Sequence, residues 1–188
     1  MVKVWYADVN SCLFNGLNLE DFCESRKAYI NSINNVTLKN QSLLVWKLLL
    51  FAFNQLGYDT KDMIFERADN GKWFVKNIDI NFSLSHSHNI VAVVISTDGD
   101  VAIDVEKCSD KILKVEKLFV IDKKLDFKEK IKVLSKLWTE KECLLKSKNS
   151  RFFYGEYITD SFGEDYNLSI SSVKPLNYKI EISLVKST

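Results

Sequence analysis

Side chains that could carry chemistry lie in two stretches of this 188-residue chain. Asp104 and Glu106 are two residues apart in an alternating apolar segment, so a strand would point both carboxylates to one face. Trp138, Glu142 and Lys146 follow at spacings of four, which places them on one stripe of a helix. Three carboxylates with a lysine beside them predict a hard divalent cation that holds a phosphate-bearing ligand.

Each of these features also has a purely structural interpretation. Asp104 and Glu106, taken alone, are typical of a charged pair on an exposed strand face, although a cation would relieve their repulsion. Glu142 and Lys146 fit an ordinary i,i+4 ion pair on a solvated helix, worth ~0.3–0.5 kcal/mol. His86 is either a satisfied surface histidine or a hydrogen-bond donor to a phosphate oxygen, as a neutral or a charged imidazole.

Composition limits the classes of function. The chain has 26 Lys and Arg against 25 Asp and Glu, so no broad basic surface for nucleic acid or an anionic membrane is expected. The longest apolar run, residues 48–53, is too short to span a bilayer. The four cysteines have no metal-ligand spacing, which favours free thiols. We expect a cytoplasmic protein that binds neither nucleic acid nor a membrane.

Hydrophobic periodicity indicates helices and strands without regular βαβ alternation, so the predicted fold class is α+β. Long helices are predicted over 37–56 and 127–147. Residues 85–88 read as a Ser-His-Ser-His tip after a short extended piece. The apolar run 90–96 is typical of a central strand, and the Asp-Gly turn after it predicts 101–106 as its hairpin partner.

Four segments, in this order and at these separations, resemble the 4′-phosphopantetheinyl transferases of the type that activates surfactin synthetase. That family has a Gly-Lys-Pro loop, an (F/N)-(N/S)-(I/L)-S-H-S segment, a strand ending in G-(I/V)-D-(I/V)-E, and a helix with W-x-x-K-E-x-x-x-K. The corresponding segments here are GKW at 71–73, FSLSHS at 82–87, AIDVE at 102–106 and WTEKECLLK at 138–146.

The resemblance implies a pseudo-twofold fold with two similar helix-plus-antiparallel-sheet halves, 1–100 and 101–188, and an active site in the cleft between them. It also implies the reaction, in which coenzyme A donates its phosphopantetheine arm to a serine of an apo acyl or peptidyl carrier protein. Adenosine 3′,5′-bisphosphate is released. Carriers of fatty-acid, polyketide and nonribosomal peptide synthesis all remain open. Because the two halves would supply one complete site, we expect a monomer, with a dimer left open.

By the same resemblance, magnesium is the cofactor and Asp104, Glu106 and Glu142 are its ligands. Glu142 is also the expected base for the carrier serine; a carboxylate cannot be fully both ligand and free base, so the two roles stay open. Lys146 would give a point charge to the phosphates, and His86 a hydrogen bond. The expected contacts to the coenzyme are listed together: Lys72, Ser85, His86, Lys146 and Arg26.

Several positions depart from the family pattern. Trp73 replaces the proline of the Gly-Lys-Pro loop, His88 stands where glycine is common, and Gln41 lies about where an arginine is expected. The intact carboxylate and lysine set favours an active transferase. The altered positions keep a second hypothesis open, a degenerate relative that binds coenzyme A or a carrier protein without catalysis.

Overall fold

Two β-sheets, each with a 20-residue helix packed on its outer face, form the framework of the chain. The computed structural model describes residues 1–10, 14–15, 18–147 and 149–175, and the backbone of 181–184. The described strands are β1 (Val2–Asp8), β2 (Phe65–Arg67), β3 (Trp73–Val75), β4 (Asn81–Ser87), β5 (Ile90–Ser96), β6 (Val101–Lys107), β7 (Phe152–Thr159), β8 (Asp165–Ser172) and β9 (Glu181–Leu184), and the α-helices are α1 (Glu24–Asn31), α2 (Val36–Gln55) and α3 (Phe127–Lys146).

The first sheet has the strand order β4-β5-β1-β9. Strand β5 lies between β4 and β1 and pairs antiparallel with both. Every residue of β5 is buried, as predicted for a central strand covered on both faces. Strand β9 adds to the free edge of β1 in the parallel direction, with Lys3 opposite Glu181. This pairing attaches the last described segment of the chain to the first.

The second sheet has the order β6-β8-β7, and all its pairs are antiparallel. Its inner face packs against the first sheet through side chains such as Val4, Ala92, Ile103 and Leu168. Helix α3 covers its other face, while α2 covers the outer face of the first sheet. The layers therefore run helix, sheet, sheet, helix, which confirms the predicted α+β class.

The predicted hairpin between 90–96 and 101–106 is wrong. Strand β6 pairs with β8 in the second sheet and not with β5. Both edges of β5 are already occupied by β4 and β1, so no ladder position is left for β6. The turn at Asp98-Gly99 instead carries the chain from one sheet to the other, with Gly99 at φ 124°.

The two long helices lie where periodicity predicts them. Helix α2 begins after Asn35, whose side chain accepts a hydrogen bond from the Leu38 N–H at 3.0 Å, and Gly57 follows its end at φ 79°. Helix α3 begins with a capping box formed by Asp126 and Glu129. None of the described helices combines the length and the apolar character needed to cross a bilayer.

The predicted tip at 85–88 is a strand for three of its four residues. Ser85, His86 and Ser87 belong to β4, and the turn begins only at His88. His88 has φ 48°, a left-handed conformation that favours glycine, which is the residue the resembled family often has there. Gln41 on α2 holds this turn, because its Nε2 donates to the His88 carbonyl at 2.8 Å.

The described cysteines are free thiols, as predicted. Cys23 and Cys108 are partly buried and Cys143 is buried, and none of the three forms a disulfide. Burial raises the pKa of the Cys143 thiol to about 12, so it stays protonated near neutral pH. Cys12 lies outside the described residues.

The core of the first half is built around Trp46 of α2, which is fully buried. Its ring makes edge or tilted contacts with Phe22, Phe65, Trp73 and Phe82 at centroid distances of 5.0–6.5 Å. Aromatic pairs of this geometry add to the hydrophobic gain from burial. These contacts join α2 to the β2–β3 hairpin and to β4, the elements that carry two of the four motif segments.

Replacing Trp46 by alanine should therefore destabilise the whole first half. We expect Trp46→Ala to lower the free energy of unfolding by about 3–5 kcal/mol, because it leaves a large cavity. Urea denaturation followed by circular dichroism measures this loss. Val36→Ala is the control on the same helix: Val36 is exposed, and its replacement should change stability by less than about 0.5 kcal/mol. Equal effects of the two substitutions would contradict this account of the core.

Candidate active site

Strand β6 presents two kinds of side chain on its two faces. Val101, Ile103 and Val105 are buried against the first sheet. The residues between them point to the opposite face, where Asp104 contacts α3. The strand is thus consistent with the prediction that Asp104 and Glu106 point to the same face. The alternative interpretation, a charged pair on an exposed face, does not fit the structure, because Asp104 is only 7% exposed.

The Asp104 carboxylate is held by residues from two other motif segments. Lys146 Nζ on α3 donates to Asp104 Oδ1 at 2.7 Å, and the Ser85 hydroxyl on β4 donates to the same oxygen at 2.8 Å. Lys146 Nζ also donates to the Ile103 carbonyl at 2.9 Å. The folding of the chain therefore brings together three segments that are far apart in sequence.

Ser85 and Ser87 make equivalent bonds, two residues apart, between β4 and β6. The Ser85 hydroxyl accepts from the Val105 N–H at 3.1 Å, in addition to its bond to Asp104. The Ser87 hydroxyl accepts from the Lys107 N–H at 3.2 Å and donates to Glu106 Oε2 at 3.3 Å. Each hydroxyl satisfies one backbone donor of β6 and orients the carboxylate next to it. The sequence predicts Ser85 as a coenzyme contact, and the structure places it between β4 and β6, hydrogen-bonded to Asp104.

Glu106 and Glu142 are perturbed carboxylic acids. Burial raises the pKa of Glu106 to about 7, with further contributions from Asp104 and Glu142. The Ser87 hydrogen bond acts in the opposite direction. Burial and the charge of Asp104 likewise raise the pKa of Glu142, against the effects of Lys146 and Lys141. The negative charge of Asp104 therefore contributes to the raised pKa of both glutamates, and the charge of Glu142 contributes to that of Glu106.

The donor chemistry of these three carboxylates suits a hard cation, but the described side chains are not gathered into a coordination shell. Among the residues that the structure describes, no group of three or more His, Cys, Asp or Glu side chains is arranged to hold a metal ion. Lys146 Nζ donates to Asp104 Oδ1, one of the carboxylate oxygens that would be needed as a ligand. Binding of a cation would require side-chain rotation here, and the predicted magnesium site stays a prediction.

A cavity of about 350 Å³ opens where the motif segments meet. It combines apolar walls with several basic groups and one acidic group, as expected of a site for a charged organic ligand. Lys72, Glu142 and Lys146, all predicted site residues, contribute to its lining. The complete lining is Arg67, Asn70, Gly71, Lys72, Trp73, Phe82, Ser83, Leu84, Glu142, Leu145 and Lys146.

The three basic side chains of this cavity differ in their partners. Lys146 is paired with Asp104, and Lys72 is paired with Asp100. Arg67 is the one without a carboxylate partner among the described residues. Its guanidinium lies 4.4 Å from the centroid of the Tyr29 ring, and its Nε donates to the Gly71 carbonyl at 3.1 Å. Arg67 is therefore oriented while its terminal nitrogens remain available for an anion.

Arg26, a predicted coenzyme contact, lies behind the wall of the cavity. It is 2% exposed, and its Nη2 donates to the carbonyl and hydroxyl oxygens of Ser42 at 2.6 and 2.8 Å. Its guanidinium stacks near the rings of Tyr29, Trp46 and Trp73. Burial lowers the pKa of Arg26 to about 10, which still leaves it charged at neutral pH. The structure does not bring Arg26 to the cavity surface.

The surroundings of His86 disfavour its charged form. Burial lowers its pKa below the ordinary value, and the positive charges of Lys146 and Arg26 lower it further. Of the two forms left open by the sequence, the neutral imidazole is the one that this environment favours. Such a side chain can donate a hydrogen bond, but it does not bring a positive charge to a phosphate.

Arg67, which lines this cavity, and Asp100, which pairs with Lys72 of its wall, are residues that the sequence did not single out. Arg67 lies four residues before Gly71, and its place at the cavity depends on the β2–β3 hairpin. Asp100 lies four residues before Asp104, just ahead of β6. A weak signal was present for both, because each is a charged residue next to a motif segment. Their roles depend on partners from distant elements, which local spacing does not reveal.

Comparison with models of protein families finds none that matches this chain, and comparison with curated proteins finds no match. The assignment of a function therefore rests on the motif segments and on the geometry of the site.

The raised pKa of Glu106 predicts how stability depends on pH. The folded protein holds this proton more tightly than the unfolded chain, so the associated stabilisation is complete below about pH 4.5 and is lost as pH rises through about 7. Glu106→Gln should abolish that loss. In chelator, the unfolding free energy of the variant relative to the parent should increase between pH 4.5 and pH 8 in urea titrations. A difference independent of pH would show that Glu106 is not perturbed.

Proposed function

We propose that this protein transfers the 4′-phosphopantetheine arm of coenzyme A to a serine of an apo acyl or peptidyl carrier protein. One observation carries the proposal: residues of three motif segments, among them Lys72, Ser83 and Glu142, line one cavity. The fourth segment contacts the cavity wall through Asp104, which is hydrogen-bonded to the lining residue Lys146. Four segments that resemble one family in sequence thus converge on one place, which chance similarity would not require.

We also propose the pseudo-twofold architecture of that family, with halves 1–100 and 101–188. Each half contains antiparallel strands with one 20-residue helix packed on the outer face, α2 in the first and α3 in the second. The cavity is lined from both sides, by Lys72 and Phe82 of the first half and by Glu142 and Lys146 of the second. These features support a cleft between two similar units.

This chain's own residues would supply several of the groups that the proposed reaction needs. The serine oxygen of the carrier forms a new bond to the phosphorus that bears pantetheine, and the pyrophosphate bond breaks to release adenosine 3′,5′-bisphosphate. Lys72, Lys146 and Arg67 would neutralise the phosphates, and neutral His86 would donate a hydrogen bond. Glu142 would accept the serine proton, and its raised pKa makes it a better base than an ordinary glutamate.

Asp104, Glu106 and Glu142 would hold the divalent cation. Magnesium bound there would supply charge neutralisation at the pyrophosphate. The carboxylates fit this ion in chemical type, and burial together with neighbouring negative charge raises the pKa of Glu106 and of Glu142. Lys146 would then leave Asp104 and turn to the phosphates.

A second candidate is a protein that binds coenzyme A or a carrier without transferring anything. The observation that favours it is the absence, among the described residues, of an assembled metal-binding group, together with the Lys146–Asp104 pair. If that pair persists in the presence of ligand, Lys146 is unavailable to the phosphates. Coenzyme binding without transfer distinguishes this candidate from the first.

The direct test is intact-mass spectrometry of apo carrier proteins incubated with this protein, coenzyme A and magnesium. We expect a mass gain of one phosphopantetheine on at least one carrier, and no gain with chelator. Glu142→Gln should reduce the transfer rate by at least roughly 100-fold, as for loss of a general base, while coenzyme binding is retained. Glu140→Gln on the same helix is the matched control and should stay active. A fully active Glu142→Gln would exclude Glu142 as the base.

Arg67 provides a second test, on binding alone. Loss of a charge-assisted hydrogen bond costs about 1.5–3 kcal/mol, so Arg67→Met should weaken coenzyme A binding by roughly 10- to 100-fold in calorimetry. Arg151→Met, which removes an exposed arginine outside the cavity lining, should bind as the parent does. Parent-like affinity of Arg67→Met would remove Arg67 from the coenzyme site.

A further inference from the structure

The carboxylate of Asp100 joins three segments of the chain at the edge of the cavity. Lys72 Nζ donates to one of its oxygens and the Ser147 hydroxyl to the other. Lys72 follows the turn between β2 and β3, Ser147 directly follows α3, and Asp100 precedes β6. One side chain therefore connects the hairpin wall of the cavity to the helix that carries Glu142 and Lys146.

The surroundings of Asp100 strengthen this connection. Lys72 Nζ also donates to the Val101 carbonyl at 2.9 Å, and the Ser150 hydroxyl donates to the Ser147 hydroxyl at 2.8 Å. The Lys72 side chain is 18% exposed, so most of it is packed. Lys72 lines the 350 Å³ cavity and an adjoining one of about 300 Å³, whereas Asp100 and Ser147 line only the second. Asp100 thus contacts Lys72 from outside the 350 Å³ cavity.

We propose that Asp100 is a positioning residue for coenzyme binding, a role that rests on the proposed function. A lysine ammonium has three N–H donors. Two of those on Lys72 are taken by Asp100 and Val101, which fixes the ammonium at the cavity wall and leaves one N–H for a phosphate oxygen. A free lysine side chain loses rotamer entropy when it is fixed. Asp100 imposes that order before the ligand arrives, so binding is tighter.

A carboxylate near a phosphate site also has an opposing effect, since its charge repels the ligand. At Asp100 that charge is compensated by Lys72, which lies between the carboxylate and the 350 Å³ cavity. We expect the ordering of Lys72 to outweigh the repulsion. The two effects predict opposite results for neutralisation of Asp100: weaker coenzyme binding if ordering dominates, and tighter binding if repulsion does.

A double-mutant cycle with Asp100→Asn and Lys72→Met tests the role. We expect Asp100→Asn to weaken coenzyme A binding roughly 10-fold by calorimetry, the size of an ordinary coupling between contacting residues. In the Lys72→Met background the same change should have an effect of less than about two-fold, because Asp100 acts through Lys72. In transfer assays, KM for coenzyme A should rise while kcat stays close to that of the parent.

Asp98→Asn is the matched control, with the same chemical change in the same turn. Asp98 pairs with the N-terminal amine and should leave coenzyme binding unchanged. Hydrogen exchange provides a readout without coenzyme: amides at 68–72 should exchange faster in Asp100→Asn than in Asp98→Asn. Parent-like or tighter coenzyme binding by Asp100→Asn, or additive effects in the cycle, would overturn the role alone. Failure of the parent to bind coenzyme A would overturn the role and the proposed function together.

Discussion

Two serine hydroxyls connect the sheets at the site, and the arrangement of the acidic residues depends on them. One edge of β6 pairs with β8, while the N–H groups of Val105 and Lys107 are satisfied by Ser85 and Ser87 of β4. A buried N–H without a partner is costly, so these bonds constrain the position of β6 relative to β4. Because a hydroxyl both accepts and donates, the same bonds orient the neighbouring carboxylates. Sheet register and site geometry are thus set by the same atoms.

The carboxylates along and just before β6, those of Asp100, Asp104 and Glu106, differ in how their charges are compensated. Asp100 and Asp104 are each paired with a lysine, whereas Glu106 accepts a hydrogen bond from the Ser87 hydroxyl and has no lysine partner among the described residues. The charges of Asp100 and Asp104 are therefore compensated by lysines, whereas Glu106, with its pKa raised to about 7, retains a proton up to about that pH. A ligand that carries phosphates would contact the lysines beside Asp100 and Asp104. A metal ion would contact the carboxylate oxygens near Glu106.

Local patterns predicted the parts of this protein that depend on local geometry. Alternation places Asp104 on the opposite face of its strand from Ile103, and the spacing of four brings Glu142 and Lys146 to the same side of α3. Hydrophobic periodicity likewise located the long helices to within a few residues. These features follow from the 2.0 and 3.6 periods of strands and helices, which neighbouring residues determine.

The features that sequence reasoning missed depend on contacts between distant segments. The Asp-Gly turn signals a hairpin whether or not the preceding strand has a free edge, so the partner of β6 could not be read from it. Arg26 and Arg67 look alike in sequence, yet one is buried against Ser42 and the other lines the cavity. Both guanidinium groups contact Tyr29, and the packing around this ring, rather than the local sequence, determines that Arg67 faces the cavity and Arg26 does not.

The parallel pairing of β9 with β1 has a consequence for the order in which the chain can fold during synthesis. Strand β1 is made first, but its outer neighbour comes from residues 181–184. Until those residues leave the ribosome, β1 remains an open edge that could pair with another chain. The paired residues, such as Lys3 and Glu181, are also far apart in sequence, and contacts of large sequence separation slow folding. We therefore expect the nascent first half to depend on chaperones more than its large aromatic core would suggest.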